Sequence, residues 1–127
     1  MYSKKPVISS EQYLKDMDIL SNRIKLEKFD CLICLKRSGF ILGAFLSNQL
    51  TIPLFTASEI KSIPNHFTSV LIIDDKVCTG KSLNHVKHKI NNKTKIKTAC
   101  MYVEADYYPD IWISKLEQIH RMWYERV

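Results

Sequence analysis

The stretch Val70-Leu-Ile-Ile-Asp-Asp-Lys-Val-Cys-Thr-Gly-Lys-Ser82 decides how this chain is read. With Ser69 before it, its apolar half is a short uninterrupted run, which suits a β-strand covered on both faces. Two carboxylates, Asp74 and Asp75, stand at the strand end. Thr79-Gly-Lys-Ser82 then opens a helix with apolar positions Leu83, Val86 and Ile90, ended by Asn91-Asn92. A helix start leaves backbone N–H groups unpaired, and Thr79, Gly80 and Ser82 add hydroxyls and close backbone approach, a cup for a phosphate dianion. The carboxylates beside it suit vicinal hydroxyls, or the water shell of a hard divalent cation. Gly80-Lys-Ser82 imitates the tail of a nucleotide-binding P-loop, but that motif needs glycine where Asp75 stands, so a P-loop is excluded. Either half alone is an ordinary cap; both together after a buried strand mark a site.

Working outward, Phe29 to Leu35 is a second apolar run. It ends in Lys36-Arg37-Ser38-Gly39 and leads into a helix over Phe40 to Leu50. Thr51 to Thr56 reads as a strand entered through Pro53, and Ile96 to Val103 as a fourth strand. Before them, Ser9 and Gln12 form a capping box ahead of Tyr13, Met17, Leu20 and Ile24, the stripe of an amphipathic helix. Ala57 to Thr68 has no periodicity and reads as a connection. The order predicts one α/β domain over 1–127, a three-layer sandwich around a mainly parallel sheet. Its ligands belong at the carboxyl ends of the strands, where Lys36–Gly39 and Asp74–Ser82 lie.

The composition agrees. The chain has 127 residues, 46% of them hydrophobic and 25% charged, as in ordinary globular domains. No apolar run approaches the roughly 20 residues a bilayer helix needs, and Met1 to Ser10 lacks a secretory centre, so a cytoplasmic protein is expected. Cys31 and Cys34 lie three apart on a strand and face opposite ways. The four cysteines therefore read as buried reduced thiols rather than a zinc site. The formal charge of +6 is concentrated in residues 76–103, which hold seven bases and no acid. Such a block attracts phosphates, on a metabolite or on nucleic acid. The run Lys87, Lys89, Lys93, Lys95 and Lys97 has no interleaved aromatics or helix-turn-helix, so a solvated face is the better reading. His85 and His88 read as surface residues.

Val70 to Leu83 resembles the phosphoribosyl pyrophosphate (PRPP) motif of type I phosphoribosyltransferases: an apolar strand, two acids, a short variable turn, then Thr-Gly-x-Thr/Ser. Phe29 to Ala44 is similar to the family's first strand, pyrophosphate loop and following helix. The resemblance spans about residues 10–103, and the ending Arg121-Met-Trp-Tyr-Glu125 looks like the aromatic ending of small bacterial and phage members. It implies transfer of ribose 5-phosphate from PRPP to a nucleobase with release of pyrophosphate. The catalytic pair would be Asp74 and Asp75, on the ribose hydroxyls. Val77, Cys78, Thr79, Gly80, Lys81 and Ser82 would bind the 5-phosphate, and Lys36, Arg37, Ser38 and Gly39 the pyrophosphate. Mg²⁺ would be carried by the substrate near the two acids, without a direct protein site. The family often holds the pyrophosphate loop in a non-proline cis peptide and often forms dimers. Membrane and nucleic-acid partners are not expected.

Three departures bear on mechanism. Cys78 stands where 6-oxopurine enzymes of the family carry an acidic base, the connection Ala57–Thr68 is short for a lid, and Lys76 replaces an apolar residue, to snorkel or to join the anion field. Residues 104–127 would form the hood over the base, with Trp112, Trp123 and Tyr124 as stacking candidates. Against that, Ser114 to Arg126 offers a short amphipathic helix through Leu116, Ile119 and Trp123. Two alternatives follow from these departures and from the basic block: a PRPP- or nucleotide-binding regulator without catalysis, and a basic nucleic-acid-binding protein.

Overall fold

A computed structural model describes residues 5–35, 37–90 and 94–125. Along the chain run β1 (Val7–Ile8), α1 (Ser10–Ile24), β2 (Cys31–Cys34), α2 (Phe40–Leu50) and β3 (Leu54–Thr56). After a 3₁₀ helix (Ala57–Ser62) come β4 (Ser69–Ile73), β5 (Lys76–Val77), α3 (Lys81–Lys87), β6 (Lys95–Ala99), β7 (Tyr102–Val103), β8 (Ser114–Lys115) and β9 (Arg121–Met122). The main sheet is parallel in the order β3-β2-β4-β6. β7 pairs in parallel with β5 and β8, and an isolated bridge joins Ala99 to Ile111.

Both faces of the sheet are covered, giving the expected three layers. Tyr13, Leu20, Leu42 and Leu46 of α1 and α2 bury against Leu32, Leu71 and Ile73 on one face. Leu83 and Val86 of α3 bury against Cys31, Ile33, Val70 and Ile72 on the other. Removing a fully buried side chain of this kind from water contributes about 1.5–3 kcal/mol. Cys31 and Cys34 do face opposite cores, and α1 is capped by Ser9, whose Oγ accepts the Gln12 N–H at 3.1 Å. Only half of the capping box forms, because the Gln12 side chain turns to Asp16 at 3.0 Å.

Several expectations are corrected. The fourth strand breaks at Cys100–Met101, where the N–H groups of Met101 and Tyr102 both turn to the Asp75 carbonyl at 3.0 Å. The third strand begins at Leu54 rather than Thr51. The connection after it contains the 3₁₀ helix, started by the Glu59 carboxylate accepting the Thr56 N–H at 2.9 Å. The C-terminal segment is not a helix. Ile111 and Ile113 pack on the first core and Trp112 on the second, a strand alternation, while Ile119 and Trp123 of the helical stripe are exposed. The expected helix end at Asn91-Asn92 lies outside the described residues. Among the described residues no helix is long and apolar enough to cross a membrane.

Candidate active site

In the order β3-β2-β4-β6 the chain progresses one way from β2 and the other way from β4. A parallel sheet opens its ligand crevice where that reversal occurs, beyond the carboxyl ends of the two strands. β2 leads into the turn at 36–39 and β4 into Asp74–Ser82, so the sheet order brings both motifs together.

Their contact is direct. The Leu35 N–H donates to the Ile73 carbonyl at 3.2 Å, and the Ser38 hydroxyl donates to Asp74 Oδ1 at 3.1 Å. Gly39 makes the approach possible: a Cβ there would lie 2.8 Å from the Leu35 carbonyl oxygen and 3.1 Å from that of Ile73. Arg37 is exposed on the turn. Lys36 lies outside the described residues, and so does the expectation of a cis peptide beside it; the described peptide bonds are trans.

The two acids differ. Asp74 is half-buried; its Oδ1 also accepts the Asp75 N–H at 2.9 Å, and burial together with the neighbouring Asp75 charge pushes its carboxyl up to about 7. Asp75 is fully buried, which raises its pKa too, against the lowering effect of hydrogen bonds from Tyr124 and Tyr13. Two carboxyls this close cannot both ionise freely without donors or a counter-charge.

Next to Asp74, residues 76–83 bound a cavity of about 160 Å³. Gly80 sits at φ 77°, a left-handed conformation that favours glycine, under the Tyr107 ring; an added Cβ would meet that ring at 2.6 Å. The backbone N–H groups of Thr79, Gly80 and Ser82 find no acceptor among the described residues, as a phosphate cup requires. Val77 is buried beneath the loop, and Thr79, Lys81 and Ser82 are exposed at it. Cys78 is also exposed, which corrects the reading of all four cysteines as buried.

The basic block divides. Lys76 does not join the anion field: its Nζ pairs with Glu125 at 3.2 Å and Glu104 at 3.9 Å. Lys95 and Lys97 both pair with Glu27, at 3.2 and 2.7 Å. Lys81, Lys87 and Lys89 have no ion-pair partner among the described residues. Lys81 and Lys89, with His85, line a cavity of about 420 Å³ beside α3 that shares Ser82 with the loop over residues 77–82. Among the described residues of the block, Lys81 and Lys89 therefore leave uncompensated charge next to the loop; Lys93 lies outside the described residues. His85 and His88 are exposed, as expected.

The three aromatic candidates do not gather in one place. Trp112 is half-buried in the second core with its ring centroid 5.0 Å from that of Tyr108. Trp123 and Tyr124 lie beside Tyr13, at 6.1 and 6.0 Å, and the Tyr124 hydroxyl donates to Asp75. Sequence reading missed Tyr13 and Tyr107. Tyr13 passes as an apolar helix position, but Asp16 shares its buried face and accepts the Tyr102 hydroxyl at 2.5 Å. A carboxylate on an apolar stripe signals buried hydroxyl partners.

Among the described residues no three His, Cys, Asp or Glu side chains form a metal cluster. Of the two acids only Asp74 reaches the adjoining cavity, so Asp74 is the carboxylate that could meet the water shell of a substrate-borne cation.

No family model matches the chain. It is 25% identical to the adenine phosphoribosyltransferase of Prochlorococcus marinus (strain MIT 9215), over 77% of this chain and 72% of the relative. The xanthine-guanine-hypoxanthine phosphoribosyltransferase of Helicobacter pylori is similar in structure at a TM-score of 0.83 and 23% identity, over 94% of this chain and 92% of that one. For the purine phosphoribosyltransferase of Pyrococcus horikoshii the TM-score is 0.82 at 24% identity, over 98% and 96%. The fold of this chain is thus the fold of solved purine phosphoribosyltransferases.

Proposed function

We propose that the protein is a phosphoribosyltransferase that converts PRPP and a purine base to a nucleotide and pyrophosphate. One observation carries this reading: the Ser38 hydroxyl on Asp74 joins the turn after β2 to the acid pair after β4, beside a loop of free N–H groups. A pyrophosphate, a ribose diol and a 5-phosphate have their three recognition elements there in the order PRPP presents them. The purine class is supported by the relatives' activities.

In the reaction the bond from the anomeric carbon to pyrophosphate breaks and a bond to the base nitrogen forms, with inversion. Positive charge grows on the ribose ring and negative charge on the leaving group. Asp74, with the buried Asp75 behind it, stabilises the ring, while Lys36, Arg37 and Ser38 receive the pyrophosphate. Loop 77–82 anchors the 5-phosphate, which fixes the sugar for in-line displacement. A substrate-borne Mg²⁺ would be met on the protein side by Asp74, and would supply neutralising charge for the leaving pyrophosphate. No side-chain base stands at Cys78, so the acceptor nitrogen loses its proton to water or to a group of the hood, residues 104–127.

The test is incubation with Mg²⁺, PRPP and each of adenine, guanine, hypoxanthine and xanthine, following pyrophosphate release and nucleotide formation. Turnover with at least one base is expected. PRPP binding without turnover on any base would leave a regulator in place of an enzyme, and absence of PRPP binding would remove the reading altogether.

A further inference from the structure

Asp75 is fully buried, yet the ribose reading places it at the reacting sugar. Its Oδ2 accepts two phenol hydroxyls from opposite ends of the chain: that of Tyr13 on α1, 3.2 Å away, and that of Tyr124 in the C-terminal segment. Its Oδ1 has no hydrogen-bond partner among the described residues. Asp74, and not Asp75, bounds the phosphate-loop cavity. The pair is therefore divided between one acid facing the loop and one held from behind.

The hold is built into the fold rather than incidental. β9 pairs with β1, Met122 is fully buried in the first core, and the Glu125 carboxylate accepts the Met122 N–H at 2.8 Å while pairing with Lys76, the residue after Asp75. Trp123 and Tyr13 meet the Tyr124 ring edge-on, with centroids 5.6 and 6.0 Å away. Held in this frame, the Tyr124 hydroxyl also approaches the Ser38 carbonyl at 3.4 Å. One hydroxyl thus touches an acid after β4 and the turn after β2. Tyr13 reaches the acid alone.

Resting on the phosphoribosyltransferase reading, we infer that Tyr13 and Tyr124 are positioning residues for the ribose-binding acids. Their hydroxyls fix the orientation of Asp75 behind Asp74, and Tyr124 additionally fastens the pair to the pyrophosphate turn. Removing a phenol hydroxyl leaves both carboxylates, and the charge that meets the developing ring, in place while loosening the geometry in which the ribose is received, so it weakens PRPP binding more than it slows the bound complex.

Tyr124→Phe and Tyr13→Phe keep the rings and remove one hydroxyl each. PRPP binding to the unaltered protein is measured first; its absence overturns the functional reading and this inference with it. With binding established, both variants are expected to raise the KM for PRPP about tenfold, leaving kcat within a factor of about three and the KM for the base unchanged. Inhibition by pyrophosphate should weaken in Tyr124→Phe and persist in Tyr13→Phe, because only Tyr124 meets Ser38. Either variant suffices if the other does not fold. An unchanged PRPP KM in a folded variant overturns the inference alone, leaving the functional reading intact. So does tighter PRPP binding, which would mean that the hydroxyl obstructs the ribose, and so does a rise in the base KM alone, which would make Tyr124 a base contact.

Discussion

Asp74→Asn is expected to stabilise the ligand-free protein at pH 8 while reducing turnover at least about a hundredfold. In the folded chain the Asp74 carboxyl is pushed up to about 7 by burial and by Asp75, from an ordinary value of 3.8. The folded state therefore holds the proton that the unfolded state releases. Stability is greatest below about pH 4 as far as this group is concerned, and falls as pH rises toward 7, by at most about 1.4 kcal/mol per pH unit. Above 7 the full penalty is present. Asparagine keeps the shape, accepts the Ser38 hydroxyl and the Asp75 N–H as before, and carries no charge. Its thermal midpoint should exceed that of the unaltered protein by several degrees at pH 8 and match it near pH 4, in scans at both pH values. Equal midpoints at pH 8 would show that the acid is not strained, and undiminished turnover would remove it from the site.

Gly39→Ala should be the most damaging single methyl group in the turn. The added carbon would meet the carbonyl oxygens of Leu35 and Ile73 at 2.8 and 3.1 Å, and neither can rotate away because both belong to the backbone. The turn must lift from the end of β4, at a cost of about 1–3 kcal/mol, carrying Ser38 away from Asp74. Displacement of a leaving-group contact by a few tenths of an ångström to 1 Å lowers turnover by about a hundredfold. Ser38→Ala is the control: it deletes the hydrogen bond without moving the backbone and should cost about tenfold or less. Thermal midpoints and PRPP titrations of the two variants check the pair; Gly39→Ala with near-normal PRPP affinity would contradict the geometry.

The parts of the fold legible in the sequence are those whose signal is local and repeated. The apolar runs of β2 and β4 bury on both faces, and the helix stripe of Tyr13, Met17, Leu20 and Ile24 buries as spaced. The strand-to-helix turn over 74–82 is legible for the same reason, being contiguous. What escaped depends on distant partners. β5, β7 and β8 are two-residue strands that exist only through one another, and β9 exists only through β1. The alternation Ile111-Trp112-Ile113 did carry a strand signal, outweighed by the helical spacing of Leu116, Ile119 and Trp123. The Lys76 ion pairs could not be read at all, since Glu104 and Glu125 lie far along the chain. Tyr13 was placed correctly and its hydroxyl overlooked, because an amphipathic pattern counts a tyrosine as apolar and says nothing of its oxygen.

The solitary exposed thiol turns the loop over residues 77–82 into its own reporter. Cys31, Cys34 and Cys100 are buried and their thiol pKa values are raised by desolvation, Cys31 to about 11, so alkylating reagents reach Cys78 alone while the fold persists. The rate at which a maleimide consumes that one thiol then measures how often the loop stands empty. PRPP should slow labelling in proportion to occupancy, giving an affinity by mass spectrometry in native protein, with no introduced label and no dependence on turnover.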